Sequence, residues 1–91
     1  MRMYLVDNKG NEMLNVKVDV TDKMFIVVPE ITNPHFMYMQ NRLMNIRKQH
    51  MNKYLETKEI NESKIMEDMK LELEKEIKRI YNELGIMFYI K

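Results

Sequence analysis

The side chains in this chain whose types could do chemistry are two histidines, one serine and a series of methionines. His35 and His50 stand fifteen residues apart on one predicted helix. A straight helix would separate them by about 22 Å, so they cannot act on one substrate atom. Ser63, the one serine, falls in a polar stretch between helices, with no strand-turn-helix signature to make it a nucleophile. The soft sulfurs of Met37, Met39 and Met51 lie next to His35 and His50, a donor set that would suit copper(I). Met37 and Met39 point about 200° apart around a helix, however, so they cannot chelate together. Methionine is also flexible core filler, and there are 11 in the chain. The carboxylates of 56–83 alternate with lysines at helical spacing, as in Glu74–Lys78 and Glu72–Lys75, which reads as a solvated face with ordinary ion pairs. No Gly-rich phosphate loop and no His-Glu helix motif is present. The chain therefore reads as a non-enzyme that needs no cofactor or metal.

The charged residues are distributed unevenly. Residues 31–55 contain no acid, but carry Arg42, Arg47, Lys48 and Lys53. Residues 56–84 carry nine acids and six bases. On a helical wheel Tyr38, Arg42, Asn45, Lys48 and Lys53 share one polar arc with Asn41, Gln49 and Asn52. Lys and Arg neutralise phosphates, and Asn and Gln read base edges, so this arc is a candidate nucleic-acid face. Equally, it is a basic helix that an acidic neighbour could neutralise within the fold. Arg47 differs from the other cations, because it lies in the apolar arc of Phe36, Met39, Leu43, Ile46, Met51 and Tyr54. An Arg there must be paired, must snorkel, or must anchor an interface. Tyr38, Arg42, Asn45, Arg47, Lys48 and Lys53 are the expected binding residues.

These side chains need elements to hold them. Residues 2–6 read as a strand, and Asp7-Asn8-Lys9-Gly10-Asn11 as a turn. Residues 13–20 alternate, with Leu14, Val16, Val18 and Val20 on one face and Asn15, Lys17 and Asp19 on the other. Thr21-Asp22-Lys23 makes the next turn, and 24–28 is an apolar strand that Pro29 ends. Asn33 caps a helix over 34–56, with Pro34 at its first position. A second helix covers 64–84 and stops at Gly85, and 86–90 reads as a fourth strand. The apolar arcs of the two helices are out of phase by roughly 80°, which favours a break near 57–63 over one helix of about 50 residues. The expected fold is α+β, in the order β-β-β-α-α-β: an antiparallel sheet of about four strands with two helices on one face.

The chain has 91 residues, enough for one small domain with a modest core. It has no cysteine, so disulfides and thiolate metal sites are excluded, and a reducing cytoplasmic setting is expected. No run of apolar residues approaches a membrane span, and Met1–Asp7 lacks the apolar stretch of a signal peptide. The absence of Ala and the abundance of Asn, Lys and Ile indicate AT-rich coding, as in a phage or mobile element. The third and fourth strands are apolar on both faces, yet two helices cover only one face of the sheet. The expected function is a non-enzymatic regulatory or inhibitory protein that contacts another protein and forms a homo-oligomer. Nucleic-acid binding through the basic first helix is the alternative.

Overall fold

The computed structural model describes residues 1–21, 24–31 and 36–91. Its elements are β1 (Arg2–Asp7), β2 (Glu12–Thr21), β3 (Met24–Ile31), α1 (Met37–Thr57), α2 (Glu62–Leu84) and β4 (Phe88–Ile90). The order β-β-β-α-α-β is the one read from the sequence. The strands form one antiparallel sheet in the order β3-β2-β1-β4.

The β1–β2 hairpin closes through Asp7. Its carboxylate accepts hydrogen bonds from the backbone N–H groups of Lys9 and Asn11 and from the Asn11 side chain. Gly10 takes a φ of +83°, which a side chain would resist. Leu14, Val16 and Val18 on β2, Met3 and Leu5 on β1, and Phe25 and Val27 on β3 all point into the core. They meet Phe36, Met39 and Leu43 of the first helix and Ile65, Met69, Leu73 and Ile80 of the second. The helices cover this one face: α1 lies over β3, and α2 over β2 and β4.

Among the described residues, no helix lies on the other face of the sheet. Ile26 and Val28 of β3 and Tyr89 of β4 are exposed there, in line with strands apolar on both sides. Asn15 also points to this face but is only 3% exposed, although its polar character suggested a solvated position. Its strand neighbours Tyr4 and Glu30 flank it, and its amide donates to Glu30 Oε2 at 3.3 Å.

β3 does not stop at Pro29. It runs to Ile31, with Pro29 opposite Val16. Proline is tolerated because β3 is an edge strand.

The helical region is two helices. α1 ends where Lys58 adopts a left-handed conformation (φ +60°) and its N–H donates to the Tyr54 carbonyl. Asn61 then caps α2, its side chain accepting from the Lys64 N–H. Gly85 ends α2 at φ +70°, as the sequence suggested. The expected Asn33 cap, Pro34 and the turn residues Asp22 and Lys23 lie outside the described residues. β4 is three residues long rather than five. Ile86 and Met87 connect the helical layer to the sheet, and the ladder with β1 is formed by Phe88–Ile90. Among the described residues, no helix is long and apolar enough to cross a membrane.

Candidate interaction surface

Glu76 is the centre of the seam between the helices. Its position follows the apolar steps Met69, Leu73 and Ile80, so the helix turns it inward, and it is only 2% exposed. A buried carboxylate needs partners. The Tyr38 hydroxyl donates to Oε2 at 3.0 Å, Arg79 Nε donates to the same oxygen at 2.7 Å, and Arg42 Nη1 reaches Oε1 at 2.7 Å. Arg42 also holds Glu72 at 2.6 Å, and Arg79 holds Glu83 at 2.8 Å. The Arg79 guanidinium lies over the Tyr38 ring, 4.7 Å from its centre. Burial pushes the Glu76 carboxyl above the usual carboxylate range, against the opposing charge of Arg42.

A second polar contact joins the helices nearer their connection. His50 Nε2 and Asp68 Oδ2 are 2.7 Å apart, and Lys64 approaches the other Asp68 oxygen at 3.3 Å. Desolvation pushes the Asp68 carboxyl up, but the hydrogen bonds of His50 and Lys64 outweigh it and hold the group below the usual aspartate range. The His50 ring meets Phe25 edge-on, with centroids 6.4 Å apart. This contact ties α1 to the start of β3.

The six residues singled out in the sequence do not form one site. Tyr38 and Arg42 converge on Glu76, and Asn45 lines a shallow concavity with Arg42, Gln49 and Glu72. Lys48 and Lys53 are exposed. Lys53 borders a polar hollow with His50, Asn61 and Lys64. Arg47 stands apart on the other flank of α1. It is half-buried, and its Nε is buried with no hydrogen-bond partner among the described residues. Met37 is exposed and Met39 is buried, so the two thioethers lie on different sides of the helix.

Sequence reasoning missed an apolar cleft beside the Glu76 seam. It has a volume of about 230 Å³ and is lined by Phe36, Tyr38, Ile80, Leu84, Ile86 and Phe88, with Arg79 at its rim. Phe36 and Phe88 pack edge-to-face at 4.9 Å and form its floor. Of the residues that line it, Tyr38, Leu84 and Ile86 are exposed. The available signal was Leu84 and Ile86 on either side of Gly85. A helix stop followed by apolar residues must bring them to the end of the helical layer. No family model, no curated protein and no solved structure matches this chain.

Proposed function

We propose that this chain is a non-enzymatic regulatory or inhibitory protein that acts by contact with another protein. One observation carries the reading: large apolar side chains cluster in the open around the cleft between the start of α1 and the end of α2. Leu84 is 59% exposed, Ile86 47% and Tyr38 39%. An exposed apolar group around a pocket, with aromatic and Arg side chains at the rim, has the composition of an interface core. Tyr38 and Arg79 are held in place by the Glu76 network, so the rim is pre-organised and little conformational entropy is lost on docking.

A second copy on the open sheet face belongs to the same proposal. Ile26, Val28 and Tyr89 are exposed there, and Arg2, Lys17, Asp19 and Glu30 give the face both charge signs, so it can meet itself about a two-fold axis. A cytoplasmic setting fits a chain without cysteine. Nucleic-acid binding would rest on Lys48 and Lys53, since Arg42 is engaged by Glu72 and Glu76. Two exposed lysines make a thin electrostatic footprint, so the protein-contact reading is preferred.

Affinity purification from cells that carry the protein, followed by mass spectrometry, tests the proposal. The expected result is one protein recovered in near-equal amount with wild type and lost with the double variant Leu84→Glu, Ile86→Glu. Equal recovery with both would remove the cleft from the proposal. In parallel, light scattering at micromolar concentration is expected to give at least twice the 11.2 kDa chain mass.

A further inference from the structure

Among the described residues, the outer edge of β3 has no strand partner and Arg47 of α1 has no ion pair. The direction of each backbone group follows from one contact. Val18 exchanges both its backbone bonds with Met1, at 2.8 and 2.9 Å, so on β2 the groups of Val18 point towards β1. Backbone groups alternate along a strand, so those of Asn15, Lys17 and Asp19 point towards β3. Their partners are Glu30, Val28 and Ile26. The groups of Phe25, Val27 and Ile31, and the carbonyl of Pro29, therefore face outward. No strand among the described residues pairs with them, because β3 ends the sheet order. Pro29 leaves one gap in the row of donors but removes no bond to β2.

α1 overhangs this edge. Tyr38 and Arg42, which meet Glu76 of α2, lie on one flank of the helix, His50 faces the sheet between the flanks, and Arg47 lies about 140° around from Arg42. Met44 and Met51 share the Arg47 flank at helical spacing, and all three are half-buried. Since α1 covers β3 and α2 covers the strands further in, the flank away from α2 is the one over the open edge. The contact of His50 with Phe25 sets the level, so Arg47, three residues earlier, stands above the stretch from Phe25 to Val27. Arg47 makes no ion pair among the described residues, and its buried Nε lacks a hydrogen-bond partner. The buried Nε is closed to an incoming group, but Arg47 as a whole is half-buried, so a carboxylate would meet its terminal guanidinium nitrogens.

We infer that the open edge of β3, roofed by the Arg47 flank of α1, is a docking groove for an extended acidic segment of another protein, which adds as a fifth strand and sets a carboxylate against Arg47. Main-chain pairing would supply affinity, and Arg47 would supply selectivity. The inference shares with the proposed function only that the occupant is a polypeptide, and its surface is separate from the cleft.

Charge decides against a second copy at this edge. Antiparallel pairing of two β3 strands in the register that avoids Pro29 sets Phe25 opposite the partner's Val27. The two-fold axis then passes near Ile26, and both Arg47 side chains approach it from above. Residues 31–55 contain no acid to separate them, and Glu30 points to the opposite face of the sheet. Like charges brought together in this way oppose association.

The probe is a displayed library of random dodecapeptides, panned against the full chain and against Arg47→Glu. The expected wild-type consensus alternates apolar and polar positions and contains Asp or Glu. Against Arg47→Glu those peptides should lose at least about tenfold in affinity, and the selected charge should turn basic. In amide exchange, Phe25 and Val27 should exchange quickly in the free chain and at least about tenfold more slowly with the best peptide, while Ile26 and Val28 stay unchanged. Val27→Pro removes an outward donor without touching the ladder; because Val27 also packs in the core, the variant is read with its circular-dichroism spectrum intact, and it should then weaken peptide binding. Peptides with no preference for acids, or Phe25 and Val27 amides protected in the dilute free chain, would overturn the inference. So would a dimer that Val27→Pro returns to monomer mass, because the edge would then belong to a second copy. If a captured protein partner binds the Arg47 and Val27 variants normally but not the Leu84 and Ile86 variant, the groove fails and the protein-contact reading stands.

Discussion

Tyr38 and Glu76 lie 38 residues apart in the chain and 3.0 Å apart in the fold, the tyrosine hydroxyl donating to a carboxylate that is almost fully buried. Because of this contact the charge asymmetry of the sequence acts mainly inside the molecule. The basic first helix meets the acidic second helix through Tyr38 and Arg42, so Arg42 is used up there, while Lys48 and Lys53 stay exposed. What remains for a partner is apolar surface around the cleft and the separate flank that carries Arg47.

Removing the centre of the seam should be felt throughout it. Glu76→Ala is expected to lower the unfolding free energy by about 2 kcal/mol, since two hydrogen bonds and an ion pair to the carboxylate are lost while Arg42 and Arg79 can turn to water. Glu74→Ala, at an exposed position on the same helix, should change stability little. Chemical denaturation of the two variants against wild type checks this. Equal effects would mean that the seam contributes nothing specific.

The carboxylates of Asp68 and Glu76 respond to pH with opposite signs. The Asp68 carboxyl is held below its usual value of 3.8, so its ion pair adds stability above that pH and loses it as pH falls through the lower folded value. The Glu76 carboxyl lies above its usual 4.5, so its neutral form adds stability at acid pH, and that contribution is lost as pH rises through the folded value. Asp68→Asn should therefore flatten the fall in melting temperature below about pH 4. Glu76→Gln should not flatten it. Thermal melts across the acid range distinguish the two.

Both helices end on a left-handed residue, but only α2 ends on glycine. Gly85→Ala should cost about 1 kcal/mol, because a Cβ is strained at φ +70° even though nothing crowds it. Lys58→Gly relieves the same strain at the end of α1 and should stabilise by about 0.5 kcal/mol after the added freedom of the unfolded chain is counted. Melting curves that shift in the same direction for both variants would contradict this account of the caps.

Much of the fold was legible because local signals agreed. The alternation of Leu14, Val16 and Val18 gave β2 its inner face, the dense turn at Asp7–Asn11 gave the hairpin, and Gly85 gave the end of α2. The phase change between helices predicted the break that Lys58 makes. Tertiary context hid the rest. Glu76 occupies an apolar step of α2, and only a facing Tyr38 and Arg42 make that affordable. Its inward position could have been suspected from the spacing of Leu73 and Ile80. Asn15 alternates correctly yet is buried, since Tyr4 and Glu30 flank it across the sheet. Pro29 looked like a strand end because its place at the sheet edge depends on strand order. The cleft joins residues from 36 to 88, and no local pattern carries a contact of that range.

The nucleic-acid alternative makes its own demand. If Lys48 and Lys53 are solvated rather than phosphate-binding, mixed duplex DNA should show no salt-sensitive gel shift, and Lys48→Glu with Lys53→Glu should leave both fold and partner capture unchanged. A strong shift at low salt that the double variant abolishes would move the function to nucleic acid.

The central claim is that the protein works by burying the apolar rim of the cleft against a protein partner. Isothermal titration calorimetry of the purified complex at several temperatures tests it most directly. The account predicts a clearly negative heat-capacity change on binding, reduced together with affinity in the Leu84→Glu, Ile86→Glu variant. A heat-capacity change near zero, with affinity unchanged in that variant and falling steeply with salt, would contradict it.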